Sequence, residues 1–150
     1  MSGSVALAAA TAKTVMFVLG SSDHGVELKK FRIGFDGVTS SAVPVLWELN
    51  YLTAATNSVP GTGNTSATAS IQQSYGRTIA NSFLAGINCT AEPTVQANAD
   101  ANLLTPNGGL LPYDYPWAES PDSAAAQGFC LRLTAPAVVN VRVGMWFERI

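Results

Sequence analysis

Two stretches near the end of the chain decide the fold: Gly128-Phe129-Cys130-Leu131-Arg132-Leu133-Thr134 and residues 137–147, AVVNVRVGMWF. Both alternate between apolar and polar residues, and only Thr134-Ala135-Pro136 separates their cores. In the second, Val139, Val141, Val143, Met145 and Phe147 share one face, while Asn140, Arg142, Gly144, Trp146 and Glu148 share the other. A helix would bring apolar residues back every three or four positions. A period of two over this length belongs to a half-buried antiparallel strand.

The same pattern recurs upstream. Residues 13–19 (KTVMFVL) predict a strand, closed by the turn Gly20-Ser21-Ser22-Asp23-His24-Gly25. Residues 26–35 predict another, with Val26 and Leu28 on one parity and Phe31, Ile33 and Phe35 on the other. The switch at Lys29-Lys30 predicts a bulge or kink, where one extra residue re-aims the strand. Asp36-Gly37 then marks a turn. Residues 43–52 place Val43, Val45, Trp47, Leu49 and Tyr51 on one side, and Pro44 belongs at the start or edge of that strand because it has no N–H to donate. Residues 53–70, rich in Thr, Asn, Gly, Ser and Ala, predict a long exposed loop, and 71–84 stay undecided between strand and helical turn. Strands at 86–91 and 94–104 flank Glu92-Pro93, and the Pro-rich residues 105–127 read as irregular. About eight short strands with turns at this spacing predict an all-β fold: an antiparallel two-sheet sandwich, jelly-roll-like. Val5 to Ala10 is a weak strand candidate, more Ala than β-branched; residues 1–12 are expected as a short extended N-terminal arm, and 13–150 as a single β-sandwich domain.

The chain has 150 residues, 47% hydrophobic and only 12% charged, with a net charge of −2. Typical domains carry about 25% charged residues. So neutral a surface suits contact with a partner and gives no electrostatic reason to expect nucleic acid. No run reaches the roughly 18 apolar residues of a membrane-spanning helix, and residues 1–12 lack the basic segment of a signal peptide. Cys89 and Cys130 are too few for a disulfide framework; two free thiols fit synthesis in a reducing cytoplasm, and a bond between them stays open.

Chemistry is sparse. His24 is the single histidine, which excludes metal sites built on several imidazoles; it reads as a solvated turn residue. No Gly-x-Ser-x-Gly elbow and no phosphate-cradling Gly-rich loop occurs. Glu48 and Glu148 read as outward residues of their strands, and Asp114 and Glu119 flank Tyr115 and Trp117 in a combination able to hold a sugar. The plainer reading has Tyr113, Tyr115 and Trp117 packing on the core or on another subunit. No catalytic, metal or cofactor residue is assigned. Lys29, Lys30 and Arg32 form the one basic cluster, a solvated strand edge or a docking patch. Arg132 and Arg142, with Trp146 beside Arg142, mark the outward face of the last two strands as a candidate subunit contact, since Arg and Trp concentrate at interface centres.

Five stretches, taken in order, carry a family resemblance: Ala12-Lys13-Thr14-Val15, Phe35-Asp36-Gly37-Val38, Ala42-Val43-Pro44-Val45, Thr90-Ala91-Glu92-Pro93-Thr94 and Ala135-Pro136-Ala137-Val138-Val139-Asn140-Val141-Arg142 with the preceding Thr134. In general pattern the chain resembles small head-associated proteins of tailed bacteriophages, mostly of actinobacterial hosts. The resemblance implies a jelly-roll-like sandwich that forms a homotrimer and decorates the capsid exterior of the virion as a cement protein, bound to the major capsid protein after synthesis in the host cytoplasm. Residues 53–70 and 113–117 match no part of that pattern. The alternative is a carbohydrate- or receptor-binding β-sandwich with a glycan partner, and the placement of Tyr113, Tyr115 and Trp117 discriminates the two.

Overall fold

The computed structural model describes residues 1–36, 43–52, 65–68, 71–74, 82–93 and 95–150. Among them lie ten strands: β1 (Val5–Leu7), β2 (Thr11–Leu19), β3 (Val26–Asp36), β4 (Val45–Leu52), β5 (Thr65–Thr68), β6 (Leu84–Cys89), β7 (Val95–Leu104), β8 (Leu111–Asp114), β9 (Gly128–Ala135) and β10 (Val139–Arg149). They form a small sheet of four strands, ordered β1-β10-β3-β8, and a large sheet of six, ordered β5-β6-β2-β9-β4-β7. Among the described strands every pairing is antiparallel, and the two sheets pack as a sandwich, as the alternation predicts.

The pairing is nested. β1 pairs with β10, β2 with β9, β3 with β8 and β4 with β7, so the first half of the chain meets the second half in reverse order. Two further ladders, β10 with β3 and β9 with β4, join these pairs into sheets. β5 and β6 come between β4 and β7 in the chain and extend the far edge of β2. The last two strands therefore do not share a face. Ala135 pairs with Thr11 in the large sheet, whereas Val139 pairs with Leu7 in the small one. Alternation tells which side of a strand is apolar but not which sheet the strand joins, and the expected common face of Arg132 and Arg142 is split between opposite sides of the sandwich.

The bulge lies where the parity switch placed it. Trp146 pairs with Lys30 and Phe147 with Leu28, leaving Lys29 as the extra residue. By that one insertion Val26, Leu28, Phe31 and Ile33 are all fully buried despite their mismatched parity. β2 repeats the device at Val15, between the pairs Thr14–Arg132 and Met16–Leu131. Between the sheets, Val139, Val141 and Val143 of β10 meet Trp47 and Leu49 of β4, Val18 of β2 and Leu131 and Leu133 of β9 in one core. A second, smaller cluster of Phe17, Leu19, Leu52, Cys89 and Cys130 contains the partners of the pair Phe17–Cys130, outside the main core.

Three segments differ from expectation. Residues 1–12 are extended but are no separate arm: Val5 and Leu7 are buried core residues, and Ser2 donates to Val143 O at 2.8 Å while its Oγ accepts from Val143 N at 2.9 Å. The weak strand candidate at Val5 to Ala10 is β1 over Val5–Leu7: Ala has weak β-propensity, but two well-placed apolar residues suffice for a short edge. Residues 65–68, expected as loop, are β5; residues 53–64 and 75–81 lie outside the described residues. β8 falls inside the stretch expected to be irregular. Pro112 disguises it, yet β8 pairs only with β3, and an edge strand tolerates a residue without an N–H.

Val141→Asp should abolish cooperative folding, since Val141 is fully buried and an unpaired carboxylate there costs several kcal/mol. Circular dichroism and thermal melting check this; a folded, soluble variant would contradict the placement of β10.

Candidate interaction surface

The outer face of the small sheet gathers the sequence's basic cluster and its last tryptophan. The β3–β10 register sets Lys30 opposite Trp146 and Arg32 opposite Gly144, and β8 adds Pro112 beside Arg32 and Asp114 beside Lys30. Lys30 Nζ lies 5.0 Å from the Trp146 ring centroid and Arg32 Cζ 4.8 Å. Such cation–π contacts contribute about 0.5–1 kcal/mol at exposed sites and more when desolvated. Gly144 makes the arrangement possible: a Cβ at that position would lie 3.1 Å from the Trp146 ring and collide with Met1 Sδ. Met1 and Trp146 thus cover bare backbone at the centre of this face.

Charge is unevenly free on the cluster. The bulged Lys29 reaches Glu27 at 2.6 Å and Glu148 at 3.4 Å, and the Glu27 carboxylate above all raises its pKa. Lys30 lies 3.7 Å from Asp114. Arg32 stacks on the indole, and its Nε is buried with no hydrogen-bond partner among the described residues. Arg142 stands exposed on the same face.

Arg132 belongs to the other side. On the outer face of the large sheet it grips Glu48 with two bonds, Nε to Oε2 and Nη2 to Oε1, each 2.9 Å. The side chains are 26% and 17% exposed, and this bonding raises the Arg132 pKa. Nearby Thr14 donates through its N to Glu92 Oε1 at 2.6 Å and through its Oγ1 to Oε2 at 2.7 Å, and Asn98 donates to Asn50 at 3.0 Å. These bonds join β4 to β9 and β7, and tie β2 to the segment before β7, so the charge of Arg132 is already paired within the large sheet. Glu48 and Glu148 sit on different sheets, facing away from each other, and form no carboxylate pair.

The aromatic trio also divides. Tyr113 stacks on Phe31 with centroids 5.0 Å apart and planes 8° apart, and Tyr115 lies against both, 6.3 Å from Phe31 and 5.1 Å from Tyr113. Trp47 joins them from the opposite sheet, 6.0 Å from Tyr113. Burial pushes both phenol pKa values up, and the Tyr115 hydroxyl has no partner among the described residues. Trp117, by contrast, is 94% exposed.

His24 is the clearest correction. Instead of a solvated turn residue it is 2% exposed. Its Nε2 lies 2.8 Å from Ser82 Oγ, its Nδ1 3.2 Å from the Gly25 carbonyl, and its ring 4.6 Å from that of Phe83. Ser82 Oγ also donates to Ser21 Oγ at 3.2 Å, and Ser21 bonds to Asp23. The imidazole plugs the turn onto the start of β6. This was not legible from the residues around His24, because Ser82 and Phe83 lie 58 and 59 residues away and the turn's own composition is that of a solvated loop. The orienting group on Nδ1 is a backbone carbonyl, not the carboxylate of a hydrolytic triad.

Cys89 and Cys130 are free and buried. β2 runs between their strands, which sets the backbones about 9–10 Å apart, beyond the ~7 Å that a disulfide spans. Burial pushes both thiols up to about 12 from an ordinary 9.0. Comparison of the chain with family models, with curated proteins and with solved structures finds no significant match.

Two outcomes follow for this region. His24→Ala should lower stability by about 2–3 kcal/mol, read from urea midpoints, because it opens a cavity against Phe83 and removes the bond to Ser82; an unchanged midpoint would refute the plug. The thiols should resist a disulfide reagent at about pH 8 until the protein is unfolded. Their raised pKa also sets a sign: native and unfolded thiols are both neutral below 9.0, and the unfolded chain ionises first above it. The stability they contribute is therefore lost as pH rises from 9.0 towards about 12, and the urea midpoint should fall over that range.

Proposed function

We propose that the chain is a structural decoration protein that binds the outside of a phage head, as a trimer, and strengthens contacts between capsomers. The observation that carries the reading is the nested strand order. With β5 and β6 set aside, β1-β10-β3-β8 faces β2-β9-β4-β7, which fits the eight-strand jelly roll of two interlocked Greek keys, an architecture found in viral capsid and lectin domains. That step is an analogy of fold. The resemblance in the strand and turn segments to head-associated phage proteins supports the viral branch of it.

Placement of the aromatics favours cement over lectin. A sugar platform needs several rings exposed together, and here Tyr113 and Tyr115 pack on Phe31 while Trp117 alone stands in solvent. The Lys30–Trp146–Arg32 face supports contact with protein, being aromatic and cationic at its centre. A cement protein acts mechanically: contacts that bridge neighbouring shell subunits must break before the subunits separate. A trimer reaches useful avidity from modest contacts, and its symmetry matches three-fold positions of a shell.

Co-sedimentation with phage shells lacking the protein tests the reading. Saturable binding at a fixed ratio to the major capsid protein is expected, and no binding by folded protein would overturn it in favour of glycan screening. Trp146→Ala should weaken self-association more than it lowers the melting midpoint of the fold; an unchanged oligomer in light scattering would remove this face from the contact.

A further inference from the structure

Trp117 is the most exposed large hydrophobic side chain among the described residues, at 94%. The backbone that carries it is nevertheless tied down. Glu119 N donates to Pro116 O at 3.0 Å across the turn, and Ala118 takes a φ of 69°, a left-handed conformation that disfavours any side chain. At the base of the turn Tyr115 N donates to Lys29 O at 3.0 Å, and the rings of Tyr113 and Tyr115 clamp onto Phe31. A preformed turn holding an indole in water adds nothing to the core. Such a turn binds at reduced ordering cost, because the backbone that carries the anchor is already fixed.

Charge identifies what the turn fits. Between Arg77 and Arg132 the sequence has no Lys, Arg or His, only Glu92, Asp100, Asp114, Glu119 and Asp122. Glu119 and Asp122, two and five residues after Trp117 in the chain, are exposed. The complementary surface exists on the same molecule: Lys30 and Arg32 flank Trp146, and Met1, 70% exposed, lies over Gly144 beside them. This second surface offers an apolar floor with a cationic rim to an indole with an acidic rim.

We propose that the Trp117 turn of one molecule docks on the outer face of the small sheet of a second copy, the indole against Met1 and Trp146 and the Glu119 carboxylate towards Arg32. Turn and face are different surfaces, so the contact can repeat head-to-tail, and where its rotation closes it makes a ring, of which a trimer is one case. The inference rests on the trimeric reading above and names the two surfaces that would build it.

Complementation tests it. Trp117→Ala, at an exposed position, should keep its circular dichroism and weaken self-association at least thirtyfold in sedimentation velocity, about 2 kcal/mol. Arg32→Glu should do the same from the other side, with Arg32→Gln as the variant to use if the charge reversal fails to fold. Mixed in equal amounts, the turn variant and the face variant should associate as a one-to-one pair that goes no further, because one intact turn meets one intact face and the remaining turn and face are both broken. Wild-type self-association in Trp117→Ala, or no pairing on mixing, overturns the proposal. A wild-type monomer that binds shells overturns this contact alone, and a monomer whose Trp117 fluorescence responds only to sugars overturns it in favour of glycan binding. An oligomer that depends on Trp117 but binds no shell upholds the contact and overturns the cement reading.

Discussion

The ladder between β3 and β10, broken once at Lys29, is the constraint on which the rest depends. β10 is an inner strand of the small sheet, with β1 on one side and β3 on the other. Its inner valines fill the sandwich, and its outer residues make the surface. Without the extra residue, either Val26 and Leu28 or Phe31 and Ile33 would point to solvent. With it, all four are buried, and Lys30 comes to rest beside Trp146 on the outside. One insertion closes the core and composes the candidate contact face.

The two sides of the molecule are consequently unlike. On the large sheet, β9 is buried on both faces: Phe129, Leu131 and Leu133 point into the main core, and Cys130 belongs to the smaller cluster. Its outward arginine is consumed by Glu48 in a two-bonded pair, flanked by the Thr14–Glu92 and Asn50–Asn98 bonds. That side is organised to hold strands together. The small sheet instead presents an indole between two cations, with the N-terminal methionine lying over a glycine. A stable interface needs such a desolvatable centre.

Alternation made the strands legible, and a parity switch made the bulge legible, since both are consequences of the two-residue repeat. Sheet membership was not legible, because it depends on which distant strand supplies the hydrogen bonds. For that reason Arg132 and Arg142 were expected together and lie apart. β8 hid behind Pro112, whose missing donor matters only in a strand paired on both sides. His24 hid because a Gly, Ser and Asp turn looks solvated whether or not a residue such as Ser82 comes back to cover it. Lys30, Arg32 and Trp146 were each singled out as candidates, but their union needs the β3–β10 register. The separation of Trp117 from Tyr113 and Tyr115 needs the turn at Pro116.

Function by contact requires rigid surfaces in the right places, and the sandwich supplies two of opposite character. The most direct test is electron cryo-microscopy of shells saturated with the protein. The account predicts discrete density of the size of this sandwich at fixed sites on the outer surface, arranged in threes. Bare shells, or density confined to the tail tip, would contradict it.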